Sequence, residues 1–330
     1  MKIEFSTDDP IRINDVRSFI NEWENDLDFI ENKTSGSTGK PKTIRLLKKY
    51  MIASAKMTAE FLNLKANDTA LLCMSIDTIA GKMMVVRALV LSLDLIVTDV
   101  SSSPLISIER KIDFAAMVPL QVEGSINKIS QVNKLIVGGG TISNQLWRLI
   151  SESEILAYQT FGMTETISHI AMRKISINVT NYKVLSGISI SVVDDCLRID
   201  ALNLGVEKLQ TNDQIELATD GSFSWLGRKD FVINSGGIKI HPEAIEEKLS
   251  PMITIPFFTF GLPDDTFGEK LILCIEGELA LQKIKLEDCL GKFQIPKEMY
   301  FFDEFSRTES GKLNRLKTIE RIGNAKKQVL

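Results

Sequence analysis

Apolar and polar positions along the chain change rhythm twice. In the first half, short apolar runs at 69–74, 93–97, 114–118, 135–137 and 155–158 alternate with longer segments of helical spacing. Short apolar runs bounded by turn residues read as buried strands. Residues 11–31 predict a helix and an approach to a loop, 48–62 a second helix, and 79–91 a helix that is nearly all apolar. A further helix is expected over 143–150, with Ser143 as its cap. Strands alternating with helices predict an α/β domain whose mostly parallel sheet is covered on both faces.

Near Val179 the alternation shortens. From Tyr182 to Trp225 polar and apolar residues trade places, with turn residues at Asn203, Gly205, Asn212-Asp213 and Asp220-Gly221. That rhythm predicts a small antiparallel β subdomain. Beyond Asp230 a third block opens with a Gly-Gly turn and a helix over 242–249, with Pro242 in its first turn. Strands over 257–260 and 270–276 and a helix near 286–292 follow. The expected division is a large domain, 1–229, reduced at its N-terminus, and a small mobile α+β domain, 230–330.

Composition narrows the class. A chain of 330 residues can bury a large core and hold about two domains. Hydrophobic content of 44% and charged content of 25% belong to an ordinary soluble globular protein. A net charge of −4 offers no basic stripe for nucleic acid. The N-terminus has no apolar signal region, and the run Met83–Val97 is interrupted by Arg87 and Asp94 and too short for a membrane span. Cys73, Cys196, Cys274 and Cys289 form no C-x-x-C pair, and with only His169 and His241 beside them suggest neither zinc nor a disulfide framework. A cytoplasmic location is expected; oligomeric state is not legible.

The candidate chemistry starts at Thr34-Ser35-Gly36-Ser37-Thr38-Gly39-Lys40-Pro41-Lys42. Its glycines let backbone approach a ligand, its hydroxyls and N–H groups suit phosphate oxygens, and its lysines add charge-assisted contacts. It is not a Walker A loop: two residues separate Gly36 from Gly39, and Pro41 follows Lys40. Standing alone, it could also be a flexible Ser/Gly-rich surface loop, the less favoured reading of the two. Four further segments follow in order: Gly138-Gly139-Gly140 after an apolar strand, Thr160-Phe161-Gly162-Met163-Thr164-Glu165, Gly227-Arg228-Lys229-Asp230 leading to Ser235-Gly236-Gly237, and Ser310-Gly311-Lys312. Together these resemble the motifs of the adenylate-forming superfamily, which contains acyl-CoA synthetases, peptide-synthetase adenylation domains and luciferases.

The resemblance implies an acid–thiol ligase that joins a carboxylate to the α-phosphate of ATP, expels pyrophosphate and passes the acyl group to coenzyme A. It implies that Thr34, Ser35, Gly36, Ser37, Thr38, Gly39, Lys40 and Lys42 hold phosphate. Thr164 would bond the α-phosphate and Glu165 ligate Mg²⁺, a hard cation suited to carboxylate oxygen. Phe161 would stack on adenine, with Gly138, Gly139 and Gly140 against its other face and Gly162 beside it. Asp213 and Arg228 would grip the ribose, Asp230 would be the hinge, and Ser235, Gly236 and Gly237 would line the coenzyme A tunnel. Lys312 would bridge carboxylate and α-phosphate, as a compact charge on a flexible stem can.

Several departures accompany the likeness. Relatives have a longer segment before the phosphate loop, Tyr at the position of Phe161, Gly at that of Asn212, an aromatic-His pair at that of Asp77-Thr78, and a proline ahead of the lysine motif. Within the superfamily, Ile79–Met84 and Gly162–Ala171 resemble the compact bacterial o-succinylbenzoate–CoA ligases of menaquinone synthesis. That acid is aromatic with a second carboxylate, so its pocket needs apolar walls and donors; Lys82, Ser168 and His169 are the candidates. The alternatives are a ligase for another aryl or short-chain acid, an adenylation domain loading a free carrier protein, and a paralogue that only binds nucleotide.

Overall fold

The computed structural model describes residues 2–33, 43–253, 255–277, 286–307 and 313–329. The chain divides into two compact units: 1–191, 198–209 and 217–223 form the first, and 192–197, 210–216 and 224–330 the second.

In the first unit the order is β1 (Ile3–Phe5), α1 (Pro10–Glu24), β2 (Phe29–Lys33), β3 (Thr43–Leu47), α2 (Lys48–Leu62), β4 (Thr69–Leu72), α3 (Ile79–Leu91), β5 (Asp94–Val97), β6 (Ile112–Met117), α4 (Pro119–Gly124), β7 (Val132–Val137), α5 (Asn144–Ser151), β8 (Leu156–Gly162), β9 (His169–Lys174) and β10 (Lys183–Val184). Eight strands form one sheet in the order β1-β5-β4-β6-β7-β8-β9-β10. Pairs from β1 to β8 are parallel; β9 and β10 close the edge antiparallel. The expected α/β architecture is present. The central strands read as continuous apolar runs because helices remove both faces from water: Ala70, Leu71, Leu72, Leu95, Val97, Phe114 and Ala115 are fully buried.

Capping explains the helix ends. Asp9 accepts from Ile11 N and Pro10 opens α1; Thr78 Oγ1 accepts from Gly81 N at 3.2 Å to start α3; Ser143 Oγ accepts from Leu146 N at 3.2 Å to start α5. Asn63 and Ser92 take left-handed conformations that end α2 and α3. α3 is apolar almost all round and lies buried, packed on α2.

Short strands follow: β11 (Ser189–Val193), β12 (Cys196–Ala201) and β13 (Val206–Gln210) make a three-stranded sheet, and β14 (Asp213–Leu217) and β15 (Phe223–Arg228) a two-stranded one. The second unit adds β16 (Ile233–Ser235), β17 (Ile238–Ile240), α6 (Pro242–Leu249), β18 (Phe257–Asp264), β19 (Gly268–Glu276), β20 (Glu298–Phe302), α7 (Arg315–Ile319) and β21 (Lys326–Val329). Its sheet runs β17-β16-β19-β20-β21, with β18 also on β19. Ile240, Ile245, Leu249, Leu271, Leu273 and Met299 fill one of its cores. The helix expected near 286–292 is a single 3₁₀ turn, Leu286–Asp288. Only Leu286 and Leu290 of that stretch are buried, and Gly291 follows, so too little apolar face is covered to extend it.

Candidate active site

In the first unit, the candidate residues gather where β7 and β8 end. β7 runs into Gly138-Gly139-Gly140, and Gly138 N donates to Met117 O at 3.2 Å. A side chain at Gly138 would overlap the Thr160 hydroxyl, and Gly139 sits at φ +79°. The triple glycine therefore lies flush with β8, at the carboxyl edge of the sheet, where open α/β folds collect ligands. On β8, Phe161 meets Tyr182 and Phe223 edge-on, with ring centroids at 5.7 and 5.3 Å. These contacts set the plane of its ring. A register shift separates Phe161 from Gly162, and Gly162 crosses so close to Ser168 O and the His169 backbone that a Cβ has no room.

Between these crossings the chain makes the 3₁₀ turn Thr164–Thr166, tied by Thr166 Oγ1, which bonds both Met163 N and Ser168 O. Ile167 then takes φ +65°, ψ −51°. That conformation is costly for a β-branched residue and is held by the bonds around it, as at functional turns. The turn leaves Glu165 exposed and Thr164 half-buried.

Behind the turn lies a group the sequence reading passed over. Arg87, on α3, is 2% exposed. Its Nη2 donates to Ser168 Oγ at 3.0 Å, its Nε to Thr58 Oγ1 at 3.4 Å, and its Nη1 points to Met84 Sδ at 3.8 Å. It has no carboxylate partner among the described residues. Burial lowers its pKa to about 10, so it remains a cation at neutral pH.

The same network fixes His169. Thr58 Oγ1 donates to Ser54 O at 3.0 Å, so Nε2–H of His169 is the donor in the 3.0 Å contact to Thr58. Ser168 Oγ, which accepts from Arg87, faces His169 Nδ1 at 3.3 Å. Burial and the nearby Arg87 hold the imidazole pKa well below its ordinary value. His169 is thus neutral, and Arg87 is the cation of the cluster. The signal in the sequence was a cation, Arg87, deep in a helix that is nearly all apolar.

Lys82, the cation picked from sequence, is held elsewhere on the same helix. Its Nζ donates to Glu31 O at 2.6 Å and lies 5.5 Å from the Phe19 ring centre. β2 and β3 pair from Phe29↔Leu47 to Lys33↔Thr43; the segment between them that the sequence marks as a candidate phosphate loop, Thr34 to Lys42, lies outside the described residues.

The second unit carries the other candidates. Asp213 is 9% exposed and accepts from the Trp225 indole at 2.9 Å. Arg228 Nη2 lies 2.6 Å from Asp230, which also accepts from Asn212 Nδ2 at 3.0 Å; the salt link to Arg228 lowers the Asp230 pKa. Ser235-Gly236-Gly237 turns β16 into β17, with φ of +57° and +82° at the glycines, the signature of a tight hairpin that only glycine closes cheaply. Gly236 N donates to Phe267 O at 2.8 Å, which ties the hairpin down. Lys312 lies outside the described residues.

Glycines and an exposed Thr-Glu turn at the carboxyl edge of a parallel sheet place the chain among α/β enzymes that bind nucleotides there. The chain belongs to the family of AMP-binding enzymes, whose model matches residues 33–199. It is similar to the 2-succinylbenzoate–CoA ligase of Lactococcus lactis, with 25% identity over 313 residues, covering 86% of this chain and 68% of the relative. Among solved structures, an acyl-CoA synthetase (AMP-forming)/AMP-acid ligase II-like protein of Dyadobacter fermentans is 32% identical with a TM-score of 0.65, covering 96% of this chain and 95% of that one. The o-succinylbenzoate CoA synthetase of Bacillus subtilis bound to its acyl-adenylate shares the fold, with a TM-score of 0.76 at 21% identity over 87% of this chain and 68% of that one.

Proposed function

We propose that this AMP-forming acid–CoA ligase activates o-succinylbenzoate, first as the acyl-adenylate and then as the coenzyme A thioester. The observation that carries the choice of acid is Arg87. A buried guanidinium without a carboxylate costs several kcal/mol to desolvate, on the order given for buried ions. A substrate with a second carboxylate, presented to Ser168, would supply the missing anion. Ser168 is the half-buried end of the Arg87–Ser168–His169 network, and it follows the Thr-Glu turn by three residues. The 2-succinylbenzoate–CoA ligases among the relatives support the same acid.

The remaining roles follow the motif assignments. The loop from Thr34 to Lys42 holds the β- and γ-phosphates, Phe161 and Gly138–Gly140 enclose the adenine, and Asp213 and Arg228 grip the ribose. Thr164 orients the α-phosphate. Glu165, a single exposed carboxylate, fits Mg²⁺ delivered on ATP, because that ion keeps most of its shell as phosphate and water. When bound, the ion neutralises phosphate charge. Lys312 completes adenylation, Asp230 is the hinge between half-reactions, and Ser235-Gly236-Gly237 lets the thiol arm of coenzyme A pass close to backbone. Lys82, tied to Glu31 and Phe19, is the weaker candidate for the distal carboxylate.

ATP–pyrophosphate exchange across a panel of carboxylic acids, followed by turnover with coenzyme A, tests the reading. Exchange with o-succinylbenzoate well above benzoate and short-chain acids is expected. Strong exchange with a monocarboxylate instead would assign another acid, and exchange without coenzyme A turnover would assign a carrier-loading enzyme.

A further inference from the structure

The second unit buries a charge cluster for which the roles above have no use. Arg315, the first residue of α7, places Nη2 2.7 Å from Glu246 Oε2 and Nη1 3.8 Å from Glu243 Oε1. Its guanidinium also lies 5.2 Å from the centre of Phe231 and 5.8 Å from that of Phe258. Glu246 accepts from Thr259 N at 2.7 Å and Thr259 Oγ1 at 3.2 Å. Glu243 presses on Gly227 so closely that a Cβ there would collide with its carboxylate. Among the described residues, Glu243 Oε2 and Arg315 Nη1 have no hydrogen-bond partner.

Two carboxylates on one guanidinium are a poor way to stabilise a core, since apolar residues of similar volume commonly do as well or better. What such a cluster does supply is fixed geometry. Its position in the chain suggests what it fixes. Arg315 lies three residues past Lys312. On either side of 308–312 the backbone is tied together: Arg307 bridges Leu313, and Asn314 N donates to Ser306 O at 2.8 Å. Asn314 also caps α7, accepting from Lys317 N at 3.1 Å. Arg315 then joins that base to α6, and Glu243 of α6 meets the Gly227-Arg228 end of β15.

We infer that Arg315, through Glu246 and Glu243, is a positioning residue for adenylation: it holds the base of the segment that carries Lys312 in register with α6. The inference rests on the proposed role of Lys312. Arg315 itself touches no substrate. Its loss leaves coenzyme A transfer from a ready-made adenylate alone and slows only the step that needs the lysine in place.

The test measures the two half-reactions separately in Arg315→Met and in the double variant Arg315→Met/Glu246→Gln, which removes one charge of each sign and leaves the net charge of the cluster unchanged. ATP–pyrophosphate exchange with o-succinylbenzoate should fall by about 10²-fold, the size of a small misplacement of a catalytic group. Thioester formation from supplied o-succinylbenzoyl-adenylate and coenzyme A should stay near wild type in both. Parallel loss of both half-reactions, or unchanged exchange, overturns the inference. Lys312→Ala is run beside them: if it exchanges normally, the assignment of the lysine falls and the inference with it. If it loses exchange while the Arg315 variants keep it, the inference falls alone.

Discussion

Replacing Arg87 with methionine separates binding from folding. The change keeps a long side chain in α3 but removes the only charge in the Thr58–Ser168–His169 network. On the stability side it deletes two bonds from a charged group, to Ser168 at 3.0 Å and to Thr58 at the long distance of 3.4 Å, each worth about 1.5 kcal/mol net, the low end for such bonds. Against this it lifts the desolvation penalty of a cation with no carboxylate beside it, several kcal/mol by the usual order for buried ions. The melting temperature should therefore hold or rise. On the functional side, a hydrogen bond to a charged group is worth roughly 1.5–3 kcal/mol, which is about 10- to 150-fold in kcat/KM. That loss should appear with o-succinylbenzoate and not with benzoate, whose single carboxylate is consumed by the reaction. Steady-state kinetics on both acids, with thermal melts of the same preparations, decide the matter. Equal losses on the two acids together with a lower melting temperature would refute the argument and make Arg87 a structural residue. Lys82→Met is the contrast: anchored to Glu31 O and Phe19, it should change both acids alike.

Other consequences are as concrete. Gly162→Ala drives a methyl group into Ser168 O and the backbone of His169, which cannot yield, so it should cost about 1–3 kcal/mol and abolish ATP binding; normal melting and normal affinity would contradict the crossing. Glu165→Gln should raise the Mg²⁺ concentration needed for half-maximal exchange, because a neutral amide is a poor ligand for a hard cation, and an unchanged titration would move the ion elsewhere. Burial pushes the Glu246 carboxyl up to about 7 and raises Glu243 as well. The folded pair therefore favours its proton, so its contribution to stability is full below the ordinary carboxylate range and is lost as pH rises through about 7. Wild type should therefore lose melting temperature relative to Glu246→Gln, whose amide stays neutral, as pH rises from about 5 to about 8, and a relative gain for wild type would reverse the sign.

Local pattern determined a good part of this molecule. The helices over 48–62, 79–91 and 242–249 begin and end where apolar spacing and punctuating residues put them, because a cap or a helical period is complete within a few residues of chain. The glycine and Thr-Glu motifs, and the family they belong to, were legible for the same reason: each is a short string whose chemistry survives out of context. What tertiary structure alone decided is which distant residues share a space. Arg87 reads in sequence as an interruption of an apolar run; it becomes a candidate anion site because α3 is buried on α2 and the turn after Glu165 returns Ser168 to within 3.0 Å of its guanidinium, 81 residues away in the chain. His169 looked like a possible donor to substrate, but burial and the nearby Arg87 keep it neutral, and its bonds to Thr58 and Ser168 turn it inward. Lys82 and Arg87 sit on one helix with similar charge, and their different neighbours, Glu31 and Phe19 against Ser168 and Thr58, separate their roles. Side-chain environment is a property of packing between segments, and no periodicity along the chain encodes it.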